Sequence, residues 1–250
     1  MYINDTHIGF YIVAAIVGLL VGQFSDWMNK RLPENKKVFS LDIFRAHRIQ
    51  FRPNYIIMLV TSAIYVGLVY NFGIHDSLIG NFNLIKYAIL TPMLLSAFVI
   101  DFKHKIIPDR LNLTIFEVGI VIAFLYGFSN VAITIDLLFG MLAGGAIFAI
   151  IALIGGMIYG KEAMGLGDVK FIAALGLYFG FTNIIIISVM SFLLGAIIGI
   201  ILLVFRIKKT NEYIPFGPFI VLGTFISIFV PFQVIKSILM QIFTLGLYKG

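Results

Sequence analysis

Met164–Lys170 reads MGLGDVK and lies between two long apolar runs, so the aspartate it carries, Asp168, begins a membrane helix. Taking an ionised carboxylate out of water is expensive, and an acid at a membrane boundary with glycines before it calls for a reason. Working outward, the next such acid is Asp101, sixty-seven positions upstream. It closes the apolar run AILTPMLLSAFVI and is followed by FKHKIIPDRLN. We read Asp101 and Asp168 as a catalytic pair. Two carboxylates within a few ångströms share one proton, so one member can act as base and the other as acid.

Composition sets the surroundings of that pair. The 250 residues are 60% hydrophobic and 12% charged, with a mean hydropathy of +1.04, which excludes a soluble fold. The apolar runs carry no alternation, so they read as helices rather than barrel strands. The expected fold is an all-α polytopic membrane protein of about eight transmembrane helices with short loops. Spans are predicted near residues 8–28, 55–72, 84–100, 111–128, 134–159, 168–181 and 183–205, with the eighth inside 214–247. Pro108 cannot continue a helix from upstream and fits a turn or first-turn position before the fourth span.

Of the 18 Lys and Arg, 15 fall in alternate loops, at 30–52, 103–110, 161–170 and 206–209. Counted as cytoplasmic, those loops put both termini outside and both aspartates at the cytoplasmic face. The net charge of +6 is thereby a matter of topology, and no nucleic-acid partner is implied. The first span lacks a basic flank and a cleavage site, so it does not read as a removable signal peptide. With no cysteine and with His47 and His104 on one side and His7 and His75 on the other, no metal site is expected.

The residues around the pair suggest supporting roles. Gly165 and Gly167 tolerate backbone conformations that side chains forbid and let an extended substrate approach. A helix beginning at Asp168 stabilises its carboxylate through the dipole. Lys170 follows closely and binds the lipid surface or tunes the pair. Glu117, two turns past Pro108, pairs with Lys170 or helps hold the site. Asp136 reads as a solvated acid near the outer boundary. Each catalytic candidate also has a plainer reading: Asp168 as an N-cap or first-turn acid, Asp101 as a solvated loop acid beside Lys103 and Lys105.

Three blocks, DFKHKIIPDRLN from Asp101, KEAMGLGDVKF from Lys161 and IPFGPF from Ile214, together resemble the bacterial type IV prepilin peptidases, membrane aspartyl proteases of the GxGD type. The resemblance covers roughly residues 84–230. It implies that Asp101 and Asp168 are the catalytic aspartates and that the substrates are prepilins or pseudopilins of type IV pilus and protein secretion systems. These are cut after a basic leader at the cytoplasmic face of the bacterial cell membrane. The first part resembles the family's bifunctional members less. GQFSDWMNKRLP keeps Gly22, Arg31, Leu32 and Pro33, but Asp26 stands where an Asn is expected and Met58 where a Glu is expected. The paired cysteines of the long loop are absent. Residues 1–72 thus read as a reduced methyltransferase-like region and 73–250 as a six-helix peptidase core. S-adenosylmethionine is required only if methyl transfer is retained; peptidase chemistry by paired acids needs no cofactor. The alternative is a proton-coupled membrane transporter with acids as relays, which the one-sided aspartates and the lack of paired halves disfavour.

Overall fold

The structure is a computed structural model and describes residues 2–4, 6–34, 36, 38, 53–77, 79–159, 164–206 and 214–244. The described residues form eight helices, as the apolar runs lead one to expect: α1 (Ile8–Arg31), α2 (Tyr55–Phe72), α3 (Phe82–His104), α4 (Asp109–Ser129), α5 (Val131–Tyr159), α6 (Leu166–Val204), α7 (Gly217–Phe229) and α8 (Phe232–Phe243). Ahead of α1 the described residues also form a two-stranded antiparallel ribbon, β1 (Tyr2–Ile3) and β2 (Thr6–His7). The helices α1 to α6 are each long and apolar enough to cross a membrane. This is a multi-pass membrane protein. The basic residues Arg45, Arg48, Arg52, Lys161, Lys208 and Lys209, on which part of the topology reading rests, lie outside the described residues.

The chain divides into two compact units, Met1–His104 and Lys105–Gly250. In the first, α1, α2 and α3 pack on one another. Two glycines one turn apart, Gly18 and Gly22, bring α1 against α2. A Cβ on Gly18 would stand 2.5 Å from the Ser62 Cα, and one on Gly22 would stand 2.6 Å from the Met58 Cα. With lipid outside and no water to expel, close backbone approach is what holds such helices together. Polar groups add to it: Ser62 Oγ donates to the Ala15 carbonyl (3.0 Å) and Tyr65 Oη to the Ala88 carbonyl (2.7 Å).

In the second unit α6 packs on α4, α5 and α7. Its 39 residues would run about 58 Å at 1.5 Å per residue, nearly twice a bilayer core. Gly180 resolves the excess: with φ 76° and ψ 179° it breaks the helix into two arms. The sixth and seventh spans of the sequence reading are these arms, and the helix begins at Leu166 rather than at Asp168. Gly140 of α5 meets the first arm so closely that a Cβ there would lie 2.7 Å from the Gly176 carbonyl oxygen.

Beyond α7, Val230 is extended and Pro231 caps α8, so the last apolar region is two helices. The second is amphipathic. Ile235 and Leu239 are buried on one side, while Gln233, Lys236, Ser237 and Gln241 occupy the other, the pattern of a helix lying in the interface.

Candidate active site

The site residues of the second unit gather where α4 and α6 begin. Pro108, extended at φ −61° and ψ 135°, is the N-cap of α4, whose first turn carries Asp109. Gly165, at φ −68° and ψ 137°, is the N-cap of α6. Asp168 follows in the first turn and is buried, at 4% exposure. Asp168 thus stands in the first turn of a helix, where the dipole favours negative charge.

The glycines before it act differently from expectation. Neither Gly165 nor Gly167 has a positive φ, so conformational freedom is not their role. Gly167 instead allows close passage of the segment just before α4: a Cβ there would stand 3.3 Å from the Ile107 carbonyl oxygen. Asn112 fastens the same turn, its Nδ2 donating to the Gly167 carbonyl at 3.0 Å.

The partner foreseen for Lys170 is corrected. Its Nζ lies 2.7 Å from Asp109 Oδ1, with both side chains exposed, and not against Glu117. The reason is register. α4 and α6 run alongside from the same end, Asn112 meeting Gly167 and Tyr178 Oη donating to the Ile115 carbonyl at 2.8 Å. Glu117 thus lies eight residues, or about 12 Å, farther along α4 than Asp109. It is exposed.

Between α4, α5 and α6 lies a cleft of about 500 Å³. Leu113, Phe116, Met141 and Ala174 give it an apolar wall, Asn112 a polar one, and the Asp109–Lys170 pair stands among its lining groups.

Asp101 belongs to the first unit. It lies inside α3, three residues before that helix ends, and not in a loop beyond it. At 2% exposure it is buried, which removes the plain reading of a solvated loop acid. Of the residues shared with the bifunctional motif in α1, Arg31 stacks over the Trp27 ring at 4.8 Å and Leu32 is buried. Asp26 is also buried and is held by Lys30 at 2.6 Å and by Asn54 Nδ2 at 3.0 Å. Among the described residues no group of three or more metal-binding side chains occurs.

Asp136 is a further correction. Far from being merely solvated, its Oδ1 accepts the backbone N–H of Phe181 at 3.3 Å, which caps the second arm of α6. The sequence reading also passed over Asn112 and Asp109. The signal for Asn112 was present, an amide one turn past Pro108 in a largely apolar span.

The chain matches the model of the type IV leader peptidase family over residues 88–200. It is 32% identical over 140 residues to a prepilin leader peptidase/N-methyltransferase of Aeromonas hydrophila, covering 56% of this chain and 47% of that protein. To the protein of the same description in Pseudomonas aeruginosa it is 31% identical over 151 residues, 60% and 51% of the two chains. It is also 32% identical over 145 residues to leader peptidase HopD of Escherichia coli, covering 57% of this chain and 89% of that one. The chain spans about half the length of the two bifunctional relatives. No solved structure matches it.

Proposed function

The chain belongs to the type IV leader peptidase family, and from that premise we propose that it is an aspartic endopeptidase removing the basic leader from prepilins or pseudopilins. Asp101 and Asp168 are the catalytic pair in this reading. The observation that carries it is that both acids fall within the matched segment 88–200 and both are buried, each on an apolar helix. Buried acids in membrane helices without a chemical role are rare.

In the proposed reaction one carboxylate takes a proton from water as the water oxygen attacks the scissile carbonyl carbon. The other, protonated, donates a hydrogen bond to the carbonyl oxygen. The C–N bond then breaks, and the amine departs with the proton held by the pair. The site works at the cytoplasmic face, where the leader lies, and both termini are outside. Gly167 and Asn112 shape the turn that presents Asp168.

The names of the bifunctional relatives include methyl transfer, while that of the Escherichia coli relative does not. The acid buried on α1, Asp26, is paired with Lys30 and accepts a hydrogen bond from Asn54. Co-expression with leader-bearing pilin precursors, followed by mass spectrometry of the product termini, tests the reading. Cleavage after a basic leader is expected; intact precursors throughout would overturn it.

A further inference from the structure

The cleft between α4, α5 and α6 opens away from the turn that carries Asp168. At 3.6 residues per turn, its α6 residues Lys170, Ala173 and Ala174 lie about 140–240° round the helix from Asp168. A molecule seated there does not face that acid. The lining changes with depth. Asp109, Arg110 and Lys170 stand near the starts of α4 and α6 and are exposed. Leu113, Phe116 and Ala174 come one to two turns later, up to about 10 Å farther along, and with Met141 they form an apolar wall. The three helices are each long and apolar enough to cross a membrane, so the cleft opens where hydrocarbon is the solvent. The α4–α5 hairpin accounts for its shape. Thr134 Oγ1 donates to the Ala123 carbonyl at 2.7 Å and ties the two helices near their turn, whereas toward the start of α4 the one residue of α5 lining the gap is Met141.

The charges at the mouth do not cancel. Lys170 pairs with Asp109 at 2.7 Å, and Asp109 is the one carboxylate lining the cleft among the described residues. Among those residues no ion pair holds Arg110. Two cations against one acid leave the mouth positive, and the uncompensated charge is a guanidinium, whose fork of N–H donors matches a phosphate.

We propose that the cleft is the site of one anionic phospholipid, its phosphate on Arg110 at the mouth and an acyl chain along Leu113, Phe116 and Met141. Basic pockets between membrane helices take anionic headgroups in this way. The volume, about 500 Å³, is in the range of formed ligand sites. A zwitterionic headgroup fits less well, because its ammonium adds a further cation at a mouth whose acid is already held by Lys170. An apolar helix from a second copy of the chain would cover the wall and leave the Arg110 charge unmatched. The proposal stands apart from the peptidase reading, since it needs only the membrane spans and the lining of the cleft.

The test is native mass spectrometry of the full-length protein in detergent, titrated with phosphatidylglycerol or with phosphatidylethanolamine of the same acyl chains. The first phosphatidylglycerol is expected to bind about fivefold tighter than phosphatidylethanolamine, and Arg110→Gln to bring the two within about twofold, the scale of one cation–phosphate contact at a membrane surface. Arg206 ends the other arm of α6 and does not line the cleft. Arg206→Gln removes the same charge and is expected to keep the preference. Equal binding of the two lipids by the wild type overturns the proposal. An equal loss of preference in both variants also overturns it, because attraction to net charge would then suffice. A photo-crosslinking phenylalanine in place of Phe116 reads the occupant directly, in nanodiscs holding the two lipids in equal amounts. An excess of phosphatidylglycerol adducts is expected; adducts of both lipids alike, or of a second protein chain, overturn the proposal. Prepilin cleavage is no part of the readout, so this site and the peptidase reading fail separately.

Discussion

The first arm of α6 has a glycine and an aspartate at each end, and the two ends use them in different ways. At Gly165–Asp168 the glycines have ordinary backbone angles, and the acid is on the same helix and buried. At Gly180 the glycine alone adopts a positive φ, and the acid comes from α5: Asp136 is exposed and accepts the Phe181 N–H. A side chain at 180 would also run into the Asp136 carboxylate. The far end is a solution to a backbone problem, a helix restart with its N–H groups satisfied by a neighbour. At the near end the acid belongs to the helix's own first turn and is buried, and it is that burial on which the proposed catalytic role of Asp168 rests.

Exchanging the acids separates the two ends most strongly. Asp168→Ala is expected to lower prepilin cleavage by about three orders of magnitude or more, with the protein still inserted in the membrane. Asp136→Ala should leave the rate within about twofold and lower stability by about 1 kcal/mol, the usual loss for a cap. Thermal unfolding in detergent, paired with the cleavage assay, reads both. Equal losses of activity from the two variants would erase the distinction.

Glycine substitutions sharpen it. Gly180→Ala forces a residue into a left-handed conformation against a carboxylate, and a loss of about 1–3 kcal/mol is expected. Gly167→Ala meets the Ile107 carbonyl oxygen at only 3.3 Å, which a small shift relieves. Its expected effect is below about 1 kcal/mol in stability, with a larger effect on rate because the shifted turn carries Asp168. The smallest change belongs to Lys170→Met. Its pairing with Asp109 is between side chains 54% and 77% exposed, and such pairs are worth about 0–1 kcal/mol. Urea-free thermal scans at low and high salt should show little difference between this variant and wild type.

How much of this was legible in the sequence follows from where each signal resides. Most spans were readable because the apolar runs are long enough by themselves and end at charged, polar, glycine or proline residues; α2, predicted over 55–72, is Tyr55–Phe72. The break in α6 was placed near Phe181 and is at Gly180, close because a polar Thr-Asn pair interrupts the run. Asp168 and Asp101 stood out as acids in apolar surroundings. What could not be read were pairings between distant positions. Asp136 and Phe181 are 45 residues apart, and Lys170 and Asp109 are 61 apart. Glu117 was offered for Lys170 because it falls within the fourth span two turns past Pro108, whereas register decides which acid arrives. The ordinary φ of Gly165 was equally hidden, since the same GxG pattern serves close packing as well as unusual backbone angles.

The most direct measurement compares the wild type with Asp101→Asn and Asp168→Asn, each isosteric and each incorporated in the same membranes, by mass spectrometry of a prepilin's new amino terminus. The account predicts a processed terminus for the wild type and intact precursor for both variants. A variant that still processes the precursor at the wild-type rate would show that its aspartate is not part of the chemistry.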